Sequence, residues 1–448
     1  MEKRRLSSRE LIFIGTMLFG LFFGAGNLIF PVFMGQEAGS HMWLAALGFI
    51  ISGVGLPLLG VVAIGNSRSE GVFHLAKKVS PLYGYIFTMM LYLSVGPAFA
   101  TPRLATISYE VGLSPFISKS DQPWALAGYT VIFFGIAWWL SRRPGKIMTY
   151  VGKILTPIFL LFLGVLLLMV LFKPLGHGGA ARGAYVAQPL LTGFTSGYMT
   201  MDALAALAFG VVIVDAIKRL GVTQPGQIAK ETMKSGVFAV GIMAVIYALL
   251  ALLGRNALGA FPRADNGGVI LANVAHAYFG PLGNLLLAGI VILACLKTGV
   301  GLITAFGDTF KELFPKLPYQ GLILLASVLP MIVANVGLDQ LLQISTPVLF
   351  FIYPLAITLI ILGLGIPLWG ESKWLFGTVT LFTVIPAILD GLKAMPAAWQ
   401  GTTVQHLVSM GQVLPGFAEG LGWVVPAIVG FIVGFVLSRS VGSSHTSN

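Results

Sequence analysis

Residues 19–33 read Phe-Gly-Leu-Phe-Phe-Gly-Ala-Gly-Asn-Leu-Ile-Phe-Pro-Val-Phe, an apolar stretch with glycines at its centre. Glycine costs about 1 kcal/mol relative to alanine in a helix interior. Backbone groups freed inside lipid must still find partners. A helix that only had to cross a bilayer would therefore not carry Gly24, Gly26 and Asn27 near its middle. Such breaks persist where bare carbonyls and amides hold something polar, usually ions or zwitterions. The stretch reads as the broken first helix of a transporter.

Composition agrees. Of 448 residues 56% are hydrophobic and 10% charged, with mean hydropathy +0.90, against about 25% charged in soluble chains. The expected fold class is an all-α integral membrane protein, with the lipid bilayer as its surroundings. Glycine is abundant at 56 residues, as suits helices whose backbones approach closely in a membrane. The basic N-terminus resembles a signal peptide, but the apolar run is long, lacks an Ala-x-Ala site and leads into Pro31, so it reads as a retained helix. Cys295 is the single cysteine, so no intramolecular disulfide forms. His41, His74, His177, His276, His406 and His445 are scattered, with no zinc or catalytic spacing. No phosphate-binding Gly-x4-Gly-Lys-Ser/Thr loop occurs, which excludes ATP as the energy source. Nothing resembles a paired acid and base, so an enzyme is not expected, nor any cofactor. A channel would need rings of pore-lining residues, and these are absent too.

Apolar segments of about 20 residues fall at 11–36, 43–65, 82–110, 124–140, 148–172, 188–214, 236–254, 281–306, 320–336, 341–366, 374–391 and 422–438, giving twelve expected spans. Lys3, Arg4, Arg5, Arg9, Arg68, Lys77, Lys78, Arg142, Arg143, Lys146, Lys153, Lys218, Arg219, Lys230, Lys234, Lys311, Lys316, Lys373 and Arg439 lie in one alternate set of loops. Only Lys119, Lys173, Arg182, Arg255, Arg263 and Lys393 lie in the other, leaving Arg103 and Lys297 inside spans. By the positive-inside rule both termini are cytoplasmic. The net charge of +11 is thus an orientation signal, and no nucleic-acid partner is implied.

A second interruption occupies the sixth span, Leu191-Thr-Gly-Phe-Thr-Ser-Gly-Tyr-Met-Thr-Met-Asp202. Breaks five spans apart imply two five-helix units of opposite orientation. The expected organisation is 1–173 (helices 1–5), 187–366 (an inverted second repeat, helices 6–10) and 372–440 (helices 11 and 12). No residue-level repeat accompanies this pairing, which rests on hydropathy and break position.

At the first break, amides around Gly24, Ala25 and Gly26, with the positive end of a helix starting near Asn27, suit a substrate carboxylate. Close packing through small residues is the alternative. At the second, carbonyls near Thr192 and Gly193 suit a substrate ammonium. Phe194 and Tyr198 would bound a side-chain pocket beside Gly197, with Leu91, Leu93, Val95 and Phe350 as further apolar wall. Asp202 is expected either to cap the following half-helix or to join a cation or proton relay; an ion pair with Arg103 is a third reading.

Phe22-Phe-Gly-Ala-Gly-Asn-Leu-Ile-Phe-Pro31 resembles the first-helix signature of the bacterial branched-chain amino acid:cation symporter family. Residues 94–106 (Ser-Val-Gly-Pro-Ala-Phe-Ala-Thr-Pro-Arg-Leu-Ala-Thr), 197–204, 294–298 (Ala-Cys-Leu-Lys-Thr) and 343–349 are similar to that family too. The resemblance covers essentially the whole chain. It implies a LeuT-type five-plus-five inverted repeat with broken helices 1 and 6, in a bacterial inner membrane. It implies import of leucine, isoleucine or valine coupled to a cation, Na+ in the first instance. In the LeuT-type pattern one sodium is held by carbonyls matching Gly20 and Phe23 and a hydroxyl matching Thr298, and a second cation uses a side chain matching Asn27. Lys297 departs from the family pattern, which carries Val or Thr before this threonine. If its ammonium reaches the helix 1 carbonyls, it takes the cation site and makes coupling proton-driven or sodium-independent. Otherwise it snorkels to water, from about 14 Å along the helix before Phe306.

Overall fold

The computed structural model describes residues 4–24, 26–67, 69, 71–142 and 156–442. Ala25, Lys3, Arg68, Arg143, Lys146, Lys153, His445 and the start of the expected fifth span therefore lie outside the described residues. The rest is helical, with no strand among the described residues.

The first span is two helices. A capping box, in which Ser7 and Glu10 bond each other's backbone amides, starts α1 (Ser8–Phe22). Its partner α2 (Gly26–Ala38) follows the gap. Next come α3 (Met42–Ile50) and α4 (Leu56–Asn66), joined by one π-helical turn. The third span is α5 (Pro81–Leu93) and α6 (Ala100–Gly112). Between them the Ser94-Val-Gly-Pro-Ala segment winds as a π turn, with Gly96 outside helical geometry (φ −90°, ψ −121°). Pro97 has no amide to donate there, so the expected continuous span 82–110 is interrupted. Then follow α7 (Gln122–Ser141) and α8 (Thr156–Phe172).

The sixth span is also two helices, α9 (Pro189–Ser196) and α10 (Asp202–Arg219). Beyond it lie α11 (Pro225–Ala257), α12 (Gly267–Leu313), α13 (Tyr319–Val333), α14 (Leu338–Leu364), α15 (Lys373–Lys393), α16 (Thr402–Gly411) and α17 (Val424–Gly442). Gly280 (φ +61°) and Pro281 divide α12. The second arm matches the expected span at 281–306, while the first, capped by Asn266 accepting from the Gly268 and Val269 amides, was not anticipated.

Eight helical runs among the described residues are long and apolar enough to cross a bilayer, against twelve spans read from the sequence. The breaks explain part of the difference. The 15-residue α1 and 8-residue α9 each fall short of the roughly 20 residues that a bilayer requires. Leu160–Phe172 and Val424–Ser440 are apolar but also short.

Two groups of helices pack around the breaks. Both arms of the first span lie on α11, and both arms of the sixth lie on α3 and α4, which also meet α11. A second group joins α6, α7, α12 and α13, and α12 touches α2 across the divide. Several contacts inside the first group bring backbone against backbone. A Cβ at Gly193 would stand 2.0 Å from the Ala45 carbonyl oxygen, and one at Gly48 would stand 2.0 Å from that of Leu190. Without lipid-excluded apolar area to drive them together, membrane helices rely on such close approach.

Candidate functional site

The first break leaves the C-terminal carbonyls of α1 and the N-terminal amides of α2 in the protein interior. Phe23 closes α1, its amide donating to the Phe19 carbonyl at 2.8 Å. The next amide, that of Gly24, donates to Asn27 Oδ1 at 3.1 Å. The asparagine at the start of α2 thus caps the loose end of the segment before it. Its Nδ2 donates to Asp202 Oδ2 at 2.5 Å and to the Tyr247 hydroxyl, and that hydroxyl donates to the same carboxylate oxygen at 3.2 Å. Asn27, Asp202 and Tyr247 are 2%, 4% and 1% exposed. The three side chains tie α2, α10 and α11 together at the level of both breaks.

The second break is a 3-10 turn, Gly197–Thr200, followed by Met201 in the left-handed region (φ +61°). Met201 is the one non-glycine residue with positive φ among the described residues. Such a conformation costs about 1–2 kcal/mol for an L-residue. The turn sits five residues beyond the carbonyls expected to be bare. Thr192 and Gly193 lie inside α9. The Thr192 hydroxyl donates to the Gln188 carbonyl, and Gly193 serves the contact with α3. Gly197 is in the break, but a Cβ there would stand 2.0 Å from Ser52 Oγ, so its smallness seats the turn against the α3–α4 junction.

Both breaks open onto one cavity. The first contributes Leu21, Phe22, Gly24, Gly26 and Asn27, and the second Met199, Thr200, Met201, Asp202 and Ala205. The third span adds Val95, Ala100, Arg103 and Leu104, and α12 adds Thr298 and Leu302. The lining is mostly apolar with a few converging polar groups, the usual make-up of a small-molecule site.

Several expected residues stand here: Gly24, Gly26, Asn27, Thr298, Asp202 and Val95. Gly20 and Phe23 flank the break. Phe194 and Tyr198 do not line the cavity. Tyr198 is buried behind it, stacked on Tyr353 at 4.2 Å and edge-on to Phe194 and Phe350, both at 5.7 Å. Leu91 is buried elsewhere and Leu93 is exposed. Asp202 does not cap α10 through its side chain; its carboxylate turns to Asn27 and Tyr247, and its amide donates to Thr200 Oγ1 at 3.3 Å. No ion pair joins it to Arg103 among the described residues.

Thr298 Oγ1 donates to the Ala294 carbonyl at 3.1 Å, and the same oxygen lies 3.6 Å from a Cβ position on Gly24. The threonine therefore bonds its own helix and faces the first break at once. Lys297 Nζ comes to 3.2 Å from a Cβ position on Gly20, so the ammonium points toward α1.

Arg103, which the sequence offers only as an ion partner for Asp202, lines the cavity itself. It is 3% exposed and donates to the Met199 carbonyl at 2.9 Å and to Ser345 Oγ. Its guanidinium carbon lies 5.6 Å from the Phe30 ring centroid. A charge in mid-span is a functional signal by itself; what the sequence could not supply was its partners.

A family model described as branched-chain amino acid transport protein matches residues 7–441. The chain is 45% identical over 435 residues to the branched-chain amino acid permease BrnQ of Lactobacillus delbrueckii subsp. lactis, covering 96% of this chain and 97% of that one. It is 42% identical over 447 residues to the permease BraB of Bacillus subtilis (strain 168), covering 100% and 99%. Among solved structures it is similar to MhsT in complex with L-phenylalanine, with TM-score 0.59, 16% identity and 97% and 99% coverage. It is also similar to inward-facing Mhp1, with TM-score 0.58, 12% identity and 96% and 91% coverage. These likenesses give the fold, LeuT-type with broken helices 1 and 6, in an integral membrane protein. The chain belongs to the branched-chain amino acid transport protein family.

Proposed function

We propose that this protein is a secondary active transporter that imports leucine, isoleucine and valine with a cation. The observation that carries the reading is the convergence of two backbone breaks, from spans five apart, on one largely apolar cavity. A branched aliphatic side chain suits the apolar walls, and the polar groups at the breaks suit a zwitterion. The named function of the relatives agrees. Such a pocket separates the three substrates weakly, since one methylene is worth about 1–3 kcal/mol. In this reading residues 1–173 and 187–366 are the inverted repeats and 372–440 an appendage. Both termini are cytoplasmic, and the group around the broken helices rocks against the other.

Counterflow in proteoliposomes tests it. Leucine exchange should saturate and be inhibited by isoleucine and valine. Folded protein that gives no leucine counterflow would sink the proposal.

For the coupling ion, Na+ held by the Gly20 and Phe23 carbonyls and Thr298 Oγ1 is the first reading. It is supported by Thr298 facing the break. A second reading is favoured by the Lys297 ammonium beside Gly20, where a fixed or titratable charge would replace sodium. Lys297→Thr should then convert uptake from sodium-independent to sodium-dependent. Unchanged cation dependence returns Lys297 to a side chain reaching for water.

A further inference from the structure

Two ionisable side chains of opposite sign line the cavity without pairing with each other. Arg103 and Asp202 are 3% and 4% exposed, and both border the space between the breaks. An isolated buried charge is costly, and proteins ordinarily pair such groups or use them. Here each is held by neutral partners: Arg103 by the Met199 carbonyl, Ser345 and the Phe30 face, and Asp202 by Asn27 and Tyr247. The guanidinium keeps further donor capacity, because its buried Nε–H meets no acceptor.

We propose that Arg103 and Asp202 are the two poles of an α-amino-acid site, the guanidinium taking the substrate carboxylate and the aspartate taking its ammonium. This rests on the transport reading above and names which side chains recognise the zwitterion.

The polarity follows from the surroundings. Arg103 lies over Phe30, one turn into α2. A carboxylate placed there meets a forked guanidinium whose Nε–H has no other acceptor. The Gly24 amide, by contrast, is already satisfied by Asn27, which shifts carboxylate recognition from the glycine loop to Arg103. At the other pole, Asn27 and Tyr247 fix the Asp202 carboxylate in place, as neighbouring hydrogen bonds should fix a group that must meet a ligand. An α-amino acid brings both missing counter-charges in one molecule. A free carboxylic acid or a free amine brings one and leaves the opposite pole unpaired.

The test is displacement of labelled leucine from purified protein by leucine, by leucinol (no carboxylate) and by 2-hydroxy-4-methylpentanoate (no ammonium). Arg103→Gln should weaken leucine by about 10- to 100-fold, the range for hydrogen bonds to charged groups, and leucinol by less than about threefold. Asp202→Asn should give the mirror image, weakening leucine and sparing the hydroxy acid. Arg103→Lys keeps the charge without the fork and should fall between. A purely structural clamp on Met199 would weaken leucine and leucinol in equal proportion. That outcome overturns the proposal, as does leucine affinity unchanged in Arg103→Gln. If Arg103→Gln does not fold, Arg103→Lys decides by whether the leucine-to-leucinol ratio moves. Wild-type protein that is folded yet blind to leucine would instead defeat the transport reading itself.

Discussion

The two breaks that frame the cavity are built differently. In the first span the chain stops being helical beside Gly24, and a side chain three residues on, Asn27, takes the orphaned amide. The interruption is local, legible and closed by its own sequence. In the sixth span the glycines do other work. Gly193 brings α9 onto α3, Gly197 seats against Ser52, and the reversal itself falls on Met201, a residue with no intrinsic liking for φ +61°. Conformation at the first break is what the local sequence prefers. Conformation at the second is imposed by packing around it, the condition under which strained backbone persists.

Substitutions can break this contrast. The largest effect is expected at Gly193→Ala, whose Cβ would meet the Ala45 carbonyl oxygen at 2.0 Å. Backbone cannot retreat as a side-chain tip can, so overpacking should reach or exceed its usual 1–3 kcal/mol or so, and little folded protein should survive detergent extraction. At Gly24→Ala the nearest atom is Thr298 Cγ2 at 3.5 Å, an ordinary contact, so that variant should fold. Equal behaviour of the pair in thermal melts would erase the distinction.

Next comes Gly26→Leu. Its Cβ enters between the Phe30 ring at 3.0 Å and the second break, with Thr200 Cα at 3.8 Å. The side chain should fill the cavity, abolishing leucine uptake while monodisperse protein is retained. Transport that survives would show that substrate does not pass this point.

Asn27→Ala should cost about 2 kcal/mol of stability. It removes one acceptor and two donor contacts, each worth about 0.5–1.5 kcal/mol net, and strips Asp202 of a donor. Uptake should fall at least about tenfold, and a melt unchanged from wild type would refute the tie between the breaks. Smallest is the comparison of Met201→Gly with Met201→Ala. Both lose the buried side chain, so both destabilise. The glycine variant should nevertheless be the more stable by about 1 kcal/mol, because left-handed backbone costs alanine and not glycine. The usual helix order of the two would show that φ at this position is not imposed.

Legibility followed the same divide. Gly24, Gly26, Asn27 and Thr298 stand out in the sequence because glycine or a polar side chain in mid-membrane is costly wherever it occurs, and all four border the cavity. Thr192, Gly193, Phe194 and Tyr198 stand off that cavity, which the sequence does not foretell because a glycine that breaks a helix and one that packs it spell alike. Arg103 was conspicuous as a charge, yet its acceptors come from Met199 and Ser345, 96 and 242 residues away.

By itself the sequence determined what must leave water and which segments cannot stay helical in lipid, since hydropathy and backbone satisfaction are properties of a short stretch. That suffices for the membrane, the helices and the first interruption. Tertiary structure alone decided which distant group answers each bare or charged one. It bound Asn27 to Asp202 across 175 residues of chain, turned the chain at Met201, and set Arg103 opposite a carboxylate it does not touch. Those choices depend on which helices lie side by side, and no local stretch encodes its neighbours.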